Sequence, residues 1–222
     1  MARPRVLVLA SGTTQGGGSG FENLVRKQGD FDYEVVGVVS HHWRGGVWQR
    51  AQRVNTPFWH MIAPFSAANY QHIVSQSRAD FVASSGWLKP VRGLDPATTF
   101  NIHPGALPRF GGKGMWGNHV HQATMEAYRA GEVTETEVNM HFVTDYDDDG
   151  DYDRGPVFFK LVMPIRPDDD ADKLAKRVNE REHLWQPWIT NRVVNGEIAW
   201  SGIIDETVAL PLGHPLVWRA PD

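Results

Sequence analysis

The sequence predicts a doubly wound α/β fold, with helices on both faces of a mostly parallel sheet. Largely apolar runs at 6–10, 34–40 and 80–84 are typical of strands that are buried on both faces. Helical segments alternate with these runs, as they do in a parallel sheet. A chain of 222 residues suits a single core. Right-handed crossovers would then produce three layers, α-β-α.

The N-terminal half is expected to alternate strands and helices. Ser11 and Gly12 end the first strand, and a loop of small residues at 11–20 leads into the first helix. Thr56-Pro57 breaks the chain between the second and third helices. The strands are predicted at 6–10, 34–40, 80–84 and 98–103, and the helices at 21–27, 49–55 and 67–77.

In the C-terminal half, a helix at 116–129 precedes two β-rich runs that flank an acidic loop. These runs, 137–143 and 157–165, predict an antiparallel pair, so the sheet should be mixed. Pro167 and an aspartate run open the longest helix, 168–195. A short strand is expected at 197–201. We expect residues 1–202 to form one domain and residues 203–222, which contain three prolines, to be a tail on its surface.

Composition excludes several classes of function. The chain has 22 Lys and Arg against 26 Asp and Glu, a net charge of -4, which argues against a nucleic-acid binder. The absence of cysteine excludes disulfides, thiolate metal sites and cysteine nucleophiles, and it fits the cytoplasm. No stretch reaches the roughly 18 apolar residues of a membrane span. We therefore expect a cytoplasmic protein without nucleic-acid or membrane partners.

The loop 11–20 is rich in glycine and lies between a strand and a helix. Bare backbone amides at a helix N-terminus bind phosphate or carboxylate groups. The spacing matches neither the P-loop nor the dinucleotide-binding pattern, which leaves ATP and NAD unsupported. An anion site and a simple surface turn both remain open for this loop.

Asn101 and His103 lie where a buried strand is expected to end. Residues at the carboxyl ends of strands line the ligand crevice of an open α/β sheet. Positions two apart on a strand share a face, so the two side chains should point together. A neutral donor beside an imidazole can stabilise an oxyanion and move a proton.

The acidic run 145–153 has two interpretations. Its first residues match the start of an EF-hand calcium loop, but Pro156 stands where that loop needs glutamate. We expect a solvated loop for most of these aspartates. Asp153 lies nearest to the return to apolar residues, where burial would perturb its pKa. His119 and His121 would diverge by about 200° on a helix, so no metal site is expected there.

Together, these motifs resemble a known family. Asn101-Ile102-His103-Pro104, then Leu107-Pro108, His141-Phe142-Val143-Thr144 and Asp153-Arg154-Gly155-Pro156 occur in the order found in phosphoribosylglycinamide formyltransferases. The segment 111–117 is similar to a Gly-Lys-Gly variant in one branch of that family. The resemblance extends over nearly the whole chain and implies the Rossmann-like formyltransferase fold.

The resemblance also implies an activity. The family transfers a formyl group from 10-formyltetrahydrofolate to the amine of glycinamide ribonucleotide in purine biosynthesis, by direct attack. Asn101 and His103 would stabilise the oxyanion, and Asp153 would hold the imidazolium and relay protons. No metal is implied, and the protein would be a monomer or homodimer. Substrate contacts would come from Gly12, Gly18, Ser19, Gly20, Leu88, Pro104 and Glu182, and folate contacts from Lys89, Val91 and Thr144.

Two alternatives stay open. The first loop is longer than the family's compact Ser-Gly-x-Gly-Ser-Asn, which allows a formyltransferase that acts on another sugar-nucleotide or nucleotide amine. The second alternative is a non-catalytic module that binds a cation or another ligand with the loop from Asp145 to Asp153. Such a module would be stabilised by its ion through mass action and would not turn over folate.

Overall fold

A computed structural model describes residues 2–145 and 152–220. Within these ranges the chain forms eight strands and five α-helices. The strands are β1 (Arg5–Leu9), β2 (Glu34–Ser40), β3 (Phe58–His60), β4 (Phe81–Ser85), β5 (Thr99–His103), β6 (Glu135–Phe142), β7 (Val157–Pro164) and β8 (Val217–Arg219). The helices are α1 (Ser19–Lys27), α2 (Gly46–Arg53), α3 (Ala67–Ser77), α4 (Asn118–Arg129) and α5 (Ala171–Val194).

The strands form one mixed sheet in the order β3-β2-β1-β4-β5-β6-β7-β8. Strands β1 to β5 are parallel, β6 runs antiparallel to both β5 and β7, and β8 is parallel to β7. The predicted mixed, mostly parallel sheet is therefore confirmed. The chain winds away from β1 in both directions, and ligands bind outside the carboxyl ends of the strands at such a switch point.

Strand β1 shows why the sheet is covered on both faces. Its side chains alternate between two apolar clusters: Val6 and Val8 join a cluster with residues of α1 and α5, whereas Leu7 and Leu9 pack with α3. All four side chains are at most 1% exposed. Burial of each contributes about 1.5–3 kcal/mol. This packing produces the predicted three layers.

Helix α5 carries one wall of the functional site and is fixed at its N-terminus. The Asp170 side chain caps it by accepting a hydrogen bond from the Lys173 amide at 2.8 Å. The preceding residue, Asp169, is buried and forms an ion pair with Arg177 of α5. Since Arg177 also donates to the Pro164 carbonyl at 2.9 Å, this pair ties α5 to the end of β7.

Two features of the predicted topology differ from the structure. The strand expected at 197–201 is wrong: only a single bridge joins Ala199 to Ala209. In the segment predicted as a surface tail, Val217–Arg219 forms the edge strand β8. Strands β3 and β8 were not predicted because three partly exposed residues show no apolar alternation. No helix in the described ranges has the length and apolarity needed to cross a bilayer.

Candidate active site

A cleft of about 680 Å³ opens at the carboxyl ends of β4 and β5. The glycine loop, α5 and the loop that precedes α4 form its other walls. Nine of the predicted site residues line it: Gly18, Ser19, Gly20, Leu88, Asn101, His103, Pro104, Asp153 and Glu182. Gly12, Lys89, Val91 and Thr144 lie outside its lining.

The extra length of the first loop is folded away from this cleft. The Thr13 amide donates to the Gly16 carbonyl, and the Gly16 amide donates back to Thr13 Oγ1, both at 2.8 Å. The Thr13 carbonyl accepts from the Gly46 amide at the start of α2. A Cβ on Gly12 would lie 2.8 Å from the Gly16 carbonyl oxygen. Gly12 thus permits tight backbone packing and is not part of the cleft wall.

The remainder of the loop faces the cleft and begins α1. Gly18 is the N-cap residue, with φ of +77°, and its carbonyl accepts the first helical bond, from the Glu22 amide at 3.1 Å. The amides of Ser19 and Gly20 therefore have no acceptor within the helix. Free amides and the helix dipole favour an anion here. His183 of α5 also lies at the N-terminus of α1, with its Nε2 3.2 Å from Ser19 Oγ.

Three residues from two segments contact the Asp153 carboxylate. Asn101 Nδ2 donates to its Oδ1 at 3.2 Å, and His103 Nδ1 lies 3.5 Å from its Oδ2. The Gly112 amide also donates to Oδ2, at 3.2 Å. Asp153 adopts a left-handed backbone conformation with φ of +59°, which costs about 1–3 kcal/mol in a non-glycine residue. Asn101 and His103 share one face of β5, as the sequence predicted.

A fourth participant is His141, for which the sequence motif predicts no role. It lies directly opposite Asn101 in the antiparallel β5–β6 pair. Its Nε2 is 3.4 Å from Asp153 Oδ1 and 3.1 Å from Asn101 Nδ2, and its Nδ1 is 2.9 Å from the Phe142 carbonyl oxygen. Residues opposite each other in a pair share a face. Only the register of that pair could have revealed this contact.

The surroundings of Asp153 and His103 shift the pKa values of both groups below their usual values. Burial lowers the pKa of His103, and the nearby Asp153 carboxylate opposes that effect only in part. Burial alone would raise the pKa of Asp153, but the hydrogen bond from His141 and the two imidazoles hold it below its usual value. At neutral pH Asp153 is ionised and His103 is neutral. The His103 Nε2 atom donates to the Phe110 carbonyl at 2.7 Å.

Glu182 projects from α5 into the same cleft. Burial raises its pKa to about 7, against a hydrogen bond from Asn179 that lowers it. The next turn contributes Gln186, which is buried and lies 3.5 Å from Ser85 Oγ. Sequence periodicity did not assign Gln186 to the cleft, because α5 is covered on more than one face.

His121 also lines the cleft and is buried, whereas His119 on the same helix is exposed. The two side chains point apart, as expected for residues two apart on a helix. Burial and the neighbouring His103 lower the pKa of His121 to about 4. His121 therefore presents a neutral imidazole beside His103.

The residues expected to contact folate lie on two loops next to the cleft. Lys89 Nζ lies 5.5 Å from the centre of the Phe65 ring, and Val91 packs into the cluster beneath α3. Thr144 follows β6. The Gly93 amide donates to Asp145 Oδ2 at 2.8 Å, which joins the loop containing Lys89 to the segment containing Thr144. The two loops therefore meet, although these three side chains do not line the cleft.

Most of the acidic loop, residues 146–151, lies outside the described residues, and so do most of the positions that resemble an EF-hand. Its two ends are described. Asp145 accepts a hydrogen bond from Gly93, and Asp153 accepts bonds from Asn101 and Gly112. Both terminal carboxylates are thus engaged by the protein.

Comparison with known proteins agrees with this geometry. The model of the formyl transferase family matches residues 4–190. The chain belongs to the formyl transferase family. It is 29% identical over 199 residues to the chloroplastic phosphoribosylglycinamide formyltransferase of Vigna unguiculata, covering 83% of this chain and 60% of that protein. The chain therefore spans about three fifths of the length of this plant relative.

Solved structures show the same fold. The glycinamide ribonucleotide transformylase 1 of Geobacillus kaustophilus is 28% identical, with a TM-score of 0.68 over 86% of this chain and 99% of that one. The phosphoribosylglycinamide formyltransferase of Coxiella burnetii superposes with a TM-score of 0.78 over 99% of this chain and 100% of that one, at 22% identity. The latter likeness establishes the formyltransferase fold.

Proposed function

We propose that this protein transfers the formyl group of 10-formyltetrahydrofolate to the amine of glycinamide ribonucleotide. The observation that carries the proposal is the direct contact of Asn101, His103 and Asp153 in a cleft that also holds Glu182 and the N-terminus of α1. Family membership and the activities of the relatives named above support it. We propose that the activity resides in the domain predicted at residues 1–202, whose sheet also includes the edge strand β8, in a cytoplasmic monomer or homodimer.

The acceptor would lie between α1 and Asp153. Gly18, Ser19 and Gly20 line the cleft at a helix N-terminus, and their amides would bind the phosphate. Glu182 would receive the amine. Pro104 and Leu88 form part of the wall around the reacting groups. The formyl donor would enter between the two joined loops, near Lys89, Val91 and Thr144.

In the transfer, the acceptor nitrogen forms a bond to the formyl carbon and the bond from that carbon to the folate nitrogen breaks. Asn101 Nδ2 would exchange Asp153 Oδ1 for the oxyanion, and His103 would add charge stabilisation while it transiently holds the proton lost by the amine. The ionised Asp153 favours that imidazolium. Asp153 would also pass the proton lost by the amine, through water, to the folate nitrogen.

The test is to mix the purified protein with a 10-formylfolate donor and to follow its deformylation by absorbance. We expect deformylation only when glycinamide ribonucleotide is added, and a formylated ribonucleotide as product. A panel of other sugar and nucleotide amines separates the alternative acceptors. Deformylation that is independent of any amine, or the absence of turnover by folded protein, would contradict the proposal.

A further inference from the structure

A buried carboxylate with three arginine partners lies beside the glycine loop. Glu22, in the first turn of α1, is 6% exposed. It accepts hydrogen bonds from Arg26 at 2.7 Å, from Arg53 at 3.1 Å and from Arg50. Burial would raise the pKa of Glu22, but the bonds from Arg26 and Arg50 hold it at about 2. The carboxylate is therefore ionised at all working pH values.

Arg50 differs from the other two arginines because it also contacts the loop. Its Nε donates to the Gly17 carbonyl at 2.8 Å, while its Nη1 is engaged by Glu22. Within the described residues, no hydrogen bond joins Arg26 or Arg53 to the glycine loop. Arg50 itself does not line the cleft. It thus connects a buried anion to the loop backbone from outside the cleft.

The contact at the Gly17 carbonyl determines where the next amide points. The carbonyl and the N–H of a planar trans peptide point in opposite directions. A bond that holds the Gly17 carbonyl towards Arg50 therefore directs the Gly18 N–H away from Arg50. Gly17 and Gly18 have φ of +85° and +77°, a region that glycine enters freely. Without an external contact, this peptide would have several accessible orientations.

We propose that Arg50 is a positioning residue that orients the Gly17–Gly18 peptide for binding the acceptor's phosphate. This inference rests on the proposed function, in which the loop takes that phosphate. Glu22 holds the guanidinium in place, and the guanidinium holds the loop. The planar fork of arginine suits two simultaneous contacts in a way that the single ammonium of lysine does not.

The test measures the binding of inorganic phosphate by calorimetry. Arg50→Met should weaken binding about tenfold or more, since it removes a charge-assisted bond that orients the site. Arg26→Met is the matched control, because it removes the same charge from the same carboxylate without touching the loop. We expect the control to change affinity by less than about twofold. Arg50→Lys keeps the charge and should remain close to Arg50→Met.

Three results would overturn the inference. The first is that the unsubstituted protein does not bind phosphate, and the second is that Arg26→Met and Arg50→Met weaken binding equally. The third is full affinity in Arg50→Lys, which would show that the effect depends on charge alone. Circular dichroism shows whether each variant is folded, and Arg50→Lys carries the test should Arg50→Met not fold. In turnover, Arg50→Met should raise KM for the ribonucleotide and leave kcat within about twofold. Phosphate binding without any turnover would refute the proposed function and leave this inference intact.

Discussion

Replacing Glu182 with glutamine should stabilise the protein at pH 8 and leave its stability nearly unchanged at pH 5. The pKa of this carboxyl is raised from 4.5 to about 7 because it is buried. Between these values the native state retains a proton that the unfolded state has lost. The stability contributed by the protonated carboxyl is therefore fully present below pH 4.5 and is lost as the pH rises through about 7.

The magnitude follows from the same two values. At about 1.36 kcal/mol per pKa unit, the difference between 4.5 and about 7 corresponds to about 3 kcal/mol. Glu182 is partly exposed to the cleft, and solvent screening reduces this to about 1.5 kcal/mol. For a chain of this size that is about 3–6 °C in Tm. The Asn179 bond survives in the variant, because the glutamine oxygen also accepts.

Thermal unfolding at pH 5 and pH 8 measures the effect. Glu180→Gln, which removes an exposed carboxylate from the same helix, is the matched control and should show no such gain at pH 8. An equal Tm for Glu182→Gln and the unsubstituted protein at pH 8, or the same gain at both pH values, would refute the reasoning. In turnover, the stabilised variant should have a higher KM for the acceptor, because it lacks the carboxylate proposed to receive the amine.

Asp153→Asn should lower kcat by about 10²–10⁴-fold with little change in KM, as measured by folate deformylation; unchanged kcat would remove this residue from the chemistry. Gly17→Ala should lower the free energy of unfolding in urea by about 1–3 kcal/mol, because Gly17 has φ of +85° and the added Cβ would lie 2.4 Å from the Cα of Gly12. Gly29→Ala, with no atom within 4 Å, is the control, and equal losses would contradict the steric argument. Arg177→Met removes the guanidinium that pairs with the buried Asp169 and should lower the free energy of unfolding by about 3–5 kcal/mol. Arg219→Met breaks an exposed ion pair and should lower it by less than about 1 kcal/mol. Similar unfolding midpoints for these two variants would show that burial does not decide the cost.

The central strands could be predicted from the sequence because burial on both faces leaves a continuous apolar run. Strand β2 is the clearest case: six of its seven residues are buried, and its predicted bounds are those observed. The short strand β8 has no such run, because its middle residue alone packs inward. Its pairing with β7 depends on where the chain returns after α5, which no local pattern encodes.

Part of the candidate site could be predicted for a similar reason. Asn101 and His103 were identified from a period of two at a strand end, which is a local property. His141 required the antiparallel register of β6 against β5, and this register is set by packing between residues 40 positions apart. The sequence places Gly12 in the same loop as Gly18 because the small residues between them are continuous. In the structure a turn at 13–16 separates them, which the sequence does not reveal.

The arrangement of charge along the cleft restricts the acceptors that could bind productively. One end offers the free amides of a helix N-terminus, beside a cluster in which three arginines surround one carboxylate. The other end contains the ionised Asp153 carboxylate beside the neutral imidazole of His103. Glu182 lines the same cleft from α5. An acceptor with an anionic group at one end and an amine at the other matches this polarity.

A zwitterion of reversed orientation would place its anion against Asp153 and its ammonium against the helix N-terminus, both of which are repulsive. This polarity is independent of the length of the first loop, because the additional residues pack against α2 and leave Gly17 to Gly20 facing the cleft.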